Sequence, residues 1–287
     1  MRSLVPVLTV VMVIIGVWYV AAAWMNATWT LQQAARAEQQ LSPVEVLQDT
    51  MVQKRPRLPA PHQVAVELWE TTVEKKVTSK RSLIYHGWIT LSATLLGFAI
   101  GTGLGILLAV GIVYNRAMDM SVMPWAIASQ TIPILAIAPM IIVVLNSIGL
   151  QGLVPKSIIS AYLSFFPVVV GMVKGLRSPD PMQLDLLKTY SANGAQVFWQ
   201  LRLPSSVPYL FTSLKVAIAA SLVGAIVGEL PTGAVAGLGA RLLAGSYYGQ
   251  TVQIWSALLA AAVLAAILVG IVALAERITL RRMGIAH

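Results

Sequence analysis

The sequence contains no cysteine, which excludes disulfides, thiolate zinc sites, iron–sulfur clusters and cysteine nucleophiles. Charged residues are scarce as well, at 11% of the chain against about 25% in soluble domains. Apolar residues reach 57%, and the mean hydropathy is +0.76. These proportions predict that most of the chain is surrounded by lipid rather than by water.

Residues that carry catalysis or bind metals are also few. The three histidines, His62, His86 and His287, are scattered without a metal-ligand spacing, so we predict no metal site and no cofactor. The glycine-rich run Gly101–Gly105 has no lysine and lies in an apolar stretch, so it cannot cradle a phosphate. We therefore predict no catalytic residues, and energy for any transport must come from a partner or an ion gradient.

Acidic residues number 11 against 20 basic ones, which leaves a net charge of +9. The basic residues fall between long apolar runs and do not cluster on one folded surface. This pattern is typical of loops beside anionic membrane lipid and argues against nucleic acid as a partner.

Six apolar runs are long enough to cross a bilayer. The predicted spans are residues 4–24, 88–114, 123–145, 157–173, 208–230 and 254–274. We expect Pro124, Pro133 and Pro139 to break the third span. Ala21 and Ala23 resemble a signal-peptidase site, but the preceding run exceeds a typical signal core, so we expect a membrane helix. The predicted fold class is all-α, a multi-pass membrane bundle of about six helices.

The segment between the first two spans carries charges of both signs and several prolines, among them Pro43 and Pro61, which we expect to interrupt helices. Apolar residues between Val64 and Val73 predict a short amphipathic helix at the membrane surface. We divide the chain into a first transmembrane helix (1–24), a periplasmic segment (25–84) and a membrane core (85–282).

Lysine and arginine in the short loops predict the orientation. One side collects Arg2, Arg116, Lys174, Arg177, Lys188, Arg202, Arg277, Arg281 and Arg282. The other side has Lys156 and Arg241 in its short loops, while the basic cluster 75–81 belongs to a long loop, where the rule weakens. We predict an inner-membrane protein with both termini in the cytoplasm.

Several residues inside the spans are candidates to line a translocation pathway: Gln130, Thr131, Asn146, Tyr162, Phe165 and Glu229. Each has an alternative role in interhelical hydrogen bonds or core packing. For Glu229 we favour a position at the headgroup level, capping the fifth span, and for Lys215 a side chain that snorkels to the surface. Gly97, Gly101 and Gly105, spaced by four residues, predict close approach of another helix.

The segment from Lys188 to Pro208 predicts a helix, a glycine and a second helical turn that leads into the fifth span. Phe198 and Trp199 lie on the water-exposed side of the membrane in this arrangement, although both are apolar. Two interpretations stay open: a contact that fits a socket in another protein, or anchors among the lipid headgroups.

This segment resembles the EAA loop of ABC importer permeases. Gly194–Ala195 and Leu203–Pro204 match that loop in type and spacing, whereas Lys188, Thr189 and Tyr190 occupy the Glu-Ala-Ala positions, so the triplet itself is absent. The resemblance covers about residues 58–282 and is to the nitrate/taurine/sulfonate type. It rests on Leu58–Pro61, Pro133, Pro139, Phe165–Pro167, Gly228–Glu229 and Gly237–Gly239. Residues 208–229 are most similar to the branch for thiamine-precursor pyrimidines and riboflavin.

The resemblance implies a type I importer permease of the MetI-like fold, with a cytoplasmic coupling loop at 177–206. Its implied partners are a cytoplasmic ABC ATPase dimer, a second permease (a copy or a paralogue) and a periplasmic substrate-binding protein. The residues implied in ATPase coupling are Lys188, Tyr190, Gly194, Ala195, Phe198, Trp199, Leu203 and Pro204. A pyrimidine-like or other small polar solute is the expected cargo, with nitrate, taurine or alkanesulfonates as alternatives. A secondary transporter driven by an ion gradient is the alternative from another class.

Overall fold

The computed structural model describes residues 4–231 and 236–284, and every regular element in them is helical. The helices are α1 (Leu4–Arg36), α2 (Pro43–Val52), α3 (Pro61–Trp69), α4 (Leu83–Tyr114), α5 (Arg116–Ser129), α6 (Ile134–Ser147), α7 (Leu153–Leu176), α8 (Pro181–Thr189), α9 (Gly194–Val197), α10 (Leu203–Glu229), α11 (Leu238–Tyr247) and α12 (Thr251–Arg282). Two π-helical turns, Glu70–Glu74 and Phe198–Arg202, follow α3 and α9. The all-α prediction is confirmed.

Helices α1, α4, α7, α10 and α12 are long and apolar enough to cross a bilayer, and α5 with α6 pass the same test as a pair bent by 100°. The bend lies where Pro133 caps the start of α6, and proline has no N–H to continue a helix. Pro124 and Pro139 lie inside α5 and α6, so the prediction that they also break the span is wrong. Neighbouring groups in a membrane bundle can satisfy the backbone that a proline frees.

The chain forms two compact units, residues up to 87 with 240–261 (the N-terminal unit), and residues 88–239 with those from 262 onward (the core unit). In the N-terminal unit, α1 is 33 residues long, about 50 Å, and continues well past the predicted end at residue 24. Asn26 is fully buried and joins α1 to the loop after α2. Its side chain accepts from Arg57 N (2.8 Å) and donates to the Leu58 carbonyl (2.9 Å).

Local caps explain the two short helices that follow. Pro43 and Pro61 each occupy the first turn of a helix, where the missing N–H costs nothing, so the prediction that they interrupt helices is wrong. Ser42 and Glu45 cap α2 reciprocally, and the hydrogen bonds from Ser42 hold the pKa of Glu45 below its usual value. The predicted amphipathic helix is present as α3 and its π turn.

In the core unit, α7 lies between α4 and α10, and glycines on both neighbours allow close contact. A Cβ on Gly97 or Gly101 would overlap Ser160 or Ser164 of α7, which confirms the predicted close approach. On the other side, a Cβ on Gly224 of α10 would lie 2.7 Å from the Ser160 Cα. Backbones this close gain dispersion energy, which replaces the hydrophobic drive that is absent in lipid.

Buried hydroxyls join the same three helices. Ser160 Oγ donates to the Ser221 carbonyl (2.6 Å), and Ser221 Oγ donates to the Thr94 carbonyl (2.9 Å). All three side chains are buried and hydrogen-bonded, so they hold α4, α7 and α10 in register without leaving an unpaired polar group.

The core unit has two polar ends. At one, which we call the Glu229 end, Lys156 at the start of α7 lies near Glu229 and Thr90. At the other, the Arg177 end, Arg177 after α7 pairs with Asp119 at the start of α5 (2.9 Å). Because α5 begins at the Arg177 end and α7 begins at the Glu229 end, the bent α5–α6 pair carries the chain across the core unit.

Candidate functional site

Residues 177–206 lie at the Arg177 end, and their local sequence defines each turn. Asp180 caps α8 by accepting from Met182 N (2.8 Å). Asn193 caps α9 by accepting from Gln196 N (2.9 Å), and the Gln196 side chain accepts from Asn193 N (2.8 Å). The segment therefore has a defined conformation of its own.

The turn between α8 and α9 contains Ser191, which has a left-handed backbone, and leads to Gly194, which matches the family pattern. Ser191 has a φ of 54°, the left-handed conformation that ends α8, and the Ala192 N–H returns to the Leu187 carbonyl (3.0 Å). Gly194, the glycine that matches the family pattern, is the first residue of α9, and a Cβ there would meet nothing within 4 Å. Within this chain neither backbone angle nor packing requires glycine at 194.

Phe198 and Trp199 have different surroundings, although the sequence presents them as a pair. The Phe198 ring meets Tyr114 edge to face (6.0 Å between centroids) and packs against the core cluster around Ile112 and Leu176. Trp199 is 65% exposed. Phe198 therefore holds the segment to the bundle, and Trp199 points away from it.

An apolar stripe on α8 accompanies Trp199. Met182, Leu186 and Tyr190 follow one another at four-residue intervals, so they share one helix face, and all three are exposed. We call these three residues the α8 stripe. The sequence analysis included Tyr190 but missed Met182 and Leu186, and their spacing was the signal that could have found them.

The remaining residues of the predicted coupling set are either exposed or half-buried at the start of α10. Lys188 pairs with Asp185 one turn earlier (2.8 Å), and both are exposed. Ala195 is exposed, while Leu203 and Pro204 are half-buried in the first turn of α10. Arg202, just before them, donates to the Leu176 carbonyl (3.0 Å) and fixes this turn to the end of α7.

Four of the predicted pathway residues lie around the α5–α6 break. The Tyr162 hydroxyl donates to the Ser129 carbonyl beside Gln130 and Thr131, and the Phe165 ring lies 6.1 Å from that of Tyr162. Since Tyr162 lies well inside α7, the break lies midway along the bundle, where Thr131, Ile132 and Pro133 are exposed on the surface of this chain.

The other two pathway candidates lie elsewhere. Asn146 is exposed near the far end of α6, about 18 Å along the helix from its start. Glu229 is fully buried; it accepts from Thr90 Oγ1 (3.0 Å) and Gly239 N (2.8 Å), with Lys156 Nζ at 3.9 Å. Glu229 is the last residue of α10, and its carboxylate caps the first turn of α11. Its location at the headgroup level stays a prediction.

A second intramembrane ion pair was missed. Lys215 of α10 donates to Glu276 of α12 at 2.8 Å, and both side chains are partly buried, so Lys215 has an acidic partner that the sequence analysis did not predict. Glu276 escaped notice because the predicted last span ends at residue 274, whereas α12 continues to Arg282. A lone lysine in a span was itself the signal that an acid should be sought nearby.

Five long apolar helices, a bent pair of helices and exposed apolar side chains at the Arg177 end are typical of a multi-pass membrane protein. Residues 101–284, well over half of the chain, match the family described as binding-protein-dependent transport system inner membrane component. The chain belongs to this family, and it is a transport component rather than a catalyst.

Individual relatives agree with this assignment. The chain is similar to the formylaminopyrimidine transport permease protein ThiX of Halalkalibacterium halodurans, 33% identical over 183 residues, which covers 63% of this chain and 68% of that protein. The riboflavin transport system permease protein RibX of Chloroflexus aurantiacus is 30% identical over 224 residues (78% and 80%). The putative aliphatic sulfonates transport permease protein SsuC of Bacillus subtilis is 24% identical over 203 residues (71% and 72%).

Proposed function

We propose that this permease moves a small heterocyclic solute across the cell inner membrane, with both termini in the cytoplasm and residues 25–84 in the periplasm. A cytoplasmic ABC ATPase dimer supplies the energy, a second permease completes the pathway, and a periplasmic binding protein delivers the solute. The observation that carries the proposal is the set of large apolar side chains, the α8 stripe and Trp199, that are exposed within residues 177–206.

The α8 stripe and Trp199 have the composition of a protein contact. Large apolar side chains exposed together on a short helix mark interaction sites, and tyrosine and tryptophan dominate the energy of such contacts. Trp199 belongs to a helical segment that runs without interruption from Gly194 to Glu229. A partner that moves α9 therefore moves the whole of α10, which is how nucleotide-driven closure reaches the membrane.

The coupling contact is apolar rather than ionic. The triplet positions of the family pattern hold Lys188, Thr189 and Tyr190, and Lys188 is already paired with Asp185. We assign the contact with the ATPase to Tyr190 and Trp199, with Gly194 and Ala195 leaving room for the partner. Phe198, Leu203 and Pro204 hold the segment to the bundle.

The α5–α6 break is the proposed point of contact with the solute. Broken helices inside membrane bundles supply polar groups to substrates. Gln130, Thr131 and Tyr162 are uncharged donors and acceptors, and Phe165 adds an aromatic ring. This set suits a neutral heterocycle, in agreement with the named solutes of the pyrimidine and riboflavin relatives, better than nitrate or a sulfonate.

Co-purification tests the ATPase contact. Trp199→Ala is expected to reduce the amount of ATPase recovered with the permease at least tenfold, because an exposed tryptophan at an interface centre contributes about 2 kcal/mol or more. Trp125→Ala is the matched control, since Trp125 on α5 is also largely exposed. Equal losses in both variants would contradict the assignment of Trp199.

Uptake into vesicles tests the solute and the energy source. With a formylaminopyrimidine, riboflavin, taurine and nitrate as probes, we expect uptake of a heterocycle that stops without the ATPase. Uptake that survives loss of the ATPase but stops with an ionophore would assign the protein to the ion-gradient class.

A further inference from the structure

Within the N-terminal unit, helix α3 begins beside the end of the apolar run of α1. The Tyr19 ring of α1 stacks on His62 in the first turn of α3, with 5.9 Å between the ring centroids. The neighbouring Trp18 indole N–H donates to the Pro59 carbonyl (2.9 Å). The apolar run ends at Trp24, about 8 Å further along α1. The start of α3 therefore lies close to the level at which α1 leaves the hydrocarbon.

The middle of α3 lies beside the start of another span. Arg241 donates to the Glu67 carboxylate of α3 (3.3 Å) and to the Arg81 carbonyl (3.2 Å), which lies two residues before α4. Thr251, the first residue of α12, donates to the Pro56 carbonyl just before α3. Because an apolar helix begins or ends near each of these contacts, α3 runs along the plane of the membrane surface and not away from it.

Three large apolar side chains are exposed on one face of α3 and its π turn. Val64 and Thr71 are buried, whereas Val66, Trp69 and Val73 are each more than half exposed. Spacings of three and four residues place the last three on the same face. We call Val66, Trp69 and Val73 the α3 stripe. A tryptophan on an apolar helix face, at the level where spans end, is typical of an anchor at the interface between membrane and water.

A basic run follows the α3 stripe directly. Four exposed basic residues lie between positions 75 and 81: Lys75, Lys76, Lys80 and Arg81. None of the ion pairs that the described residues form includes them. The exposed acids Glu70 and Glu74 offset two of these charges, which leaves an excess of two positive charges beside the α3 stripe. This excess is complementary to anionic headgroups.

We infer that the α3 stripe inserts among the lipid headgroups of one leaflet, and that the basic run 75–81 gathers anionic phospholipid there. The apolar side chains supply the insertion, and the lysines supply an attraction to the negative lipid surface. In the proposed orientation this is the periplasmic leaflet. A soluble protein would reach this face only by displacing the lipid that borders the spans. The inference concerns the N-terminal unit and does not depend on the proposed ATPase contact.

Spin labels test the insertion in the full-length protein, because the chain has no natural cysteine. In nanodiscs of phosphatidylglycerol and phosphatidylcholine, a label at Val66→Cys or Val73→Cys should collide more with oxygen than with a water-soluble nickel chelate. Val44→Cys is the matched control, since Val44 is an exposed valine of α2, which packs along the part of α1 beyond Trp24. Its label should show the reverse order.

Two results would overturn the insertion. A label at Val66 that is as accessible to nickel as the label at Val44 would place the α3 stripe in water. A label at Val66 that is shielded from both oxygen and nickel would show that a protein, such as a second copy of the chain, covers this face.

Quenching of a bimane on Val73→Cys by brominated lipids tests the headgroup preference. The local ratio of phosphatidylglycerol to phosphatidylcholine should exceed that of the bulk bilayer about fivefold. Lys75→Gln combined with Lys76→Gln removes the excess charge and should return the ratio to the bulk value. Arg281→Gln combined with Arg282→Gln removes two adjacent exposed charges from the end of α12 and serves as the control. A bulk ratio in the wild type, or equal effects of the two double variants, would contradict anionic lipid binding at this run.

Discussion

At the scale of single residues, the polar cluster at the Glu229 end depends on a missing side chain. Gly237 has a φ of +130°, and a Cβ there would overlap the Glu229 carboxyl. The backbone beyond Gly237 can therefore reach the carboxylate, which accepts from Gly239 N. One glycine thus determines whether a buried acid keeps its partners.

Gly237→Ala is expected to destabilise the protein by about 2 kcal/mol or more, because it adds backbone strain and displaces the carboxylate. Gly103→Ala is the control, since Gly103 lies in α4 with open space around it and should gain helix propensity. Thermal unfolding in detergent measures both. A Gly237→Ala variant as stable as Gly103→Ala would show that the overlap is relieved without cost.

Ser191 presents the opposite case, a side chain where glycine would fit better. Ser191→Gly should stabilise the end of α8 by about 1 kcal/mol, because left-handed backbone costs a non-glycine residue that much. Slower hydrogen exchange of the α8 amides is the measurement. Ser191→Ala keeps the strained backbone and should not slow exchange; if it slows exchange equally, the φ angle is not the cause.

At the scale of elements, α10 is held by one ion pair at its Glu229 end and by another at its middle. Lys156 of α7 and Thr90 of α4 meet Glu229, and Lys215 meets Glu276 of α12. Breaking a buried pair leaves an uncompensated charge, which costs more than the pair contributes. These contacts fix α10 against its neighbours while its other end extends into the proposed coupling segment.

Reversing one charge of the Lys215–Glu276 pair should destabilise the protein by about 1–2 kcal/mol, since both side chains are only partly buried and two like charges would then meet. Lys215→Glu and Glu276→Lys are the single variants, and the double swap should recover most of the stability. Thermal unfolding of the two single variants and the double variant, compared with the wild type, completes a double-mutant cycle. Additive losses in the double variant would contradict a direct pair.

The elements show what a sequence can and cannot predict. Hydrophobic runs located the spans, and the glycine spacing on α4 located its contact with α7. Helices α2 and α11 were missed because proline and glycine lie at their starts, where they cap as readily as they interrupt. The Lys215–Glu276 pair joins residues 61 positions apart, so the lone lysine could indicate that an acid lies nearby but not which acid it is.

At the scale of the whole molecule, the proposed orientation places the two ends of the core unit in different compartments. Glu229, Lys156 and the start of α7 would face the periplasm, and the α8 stripe would face the cytoplasm. Both ends are linked by the same two antiparallel helices, α7 and α10.

The natural absence of cysteine makes this orientation easy to test. An impermeant maleimide applied from outside should label Gln151→Cys and not Thr189→Cys, because both positions are exposed but lie beyond opposite ends of α7. Thr189→Cys should react only after the membrane is opened. The reverse pattern would place the α8 stripe in the periplasm and remove the proposed ATPase contact.

The contacts around Ser160 limit how this protein family can drift in sequence. Ser160 touches the glycine at 97 on one side and the glycine at 224 on the other, so a larger residue at any of the three meets backbone or side chain at once. Tolerated changes should then come as compensating sets, in which one position shrinks where another grows. Correlated variation among these three positions would be the evolutionary record of how tightly the three helices pack.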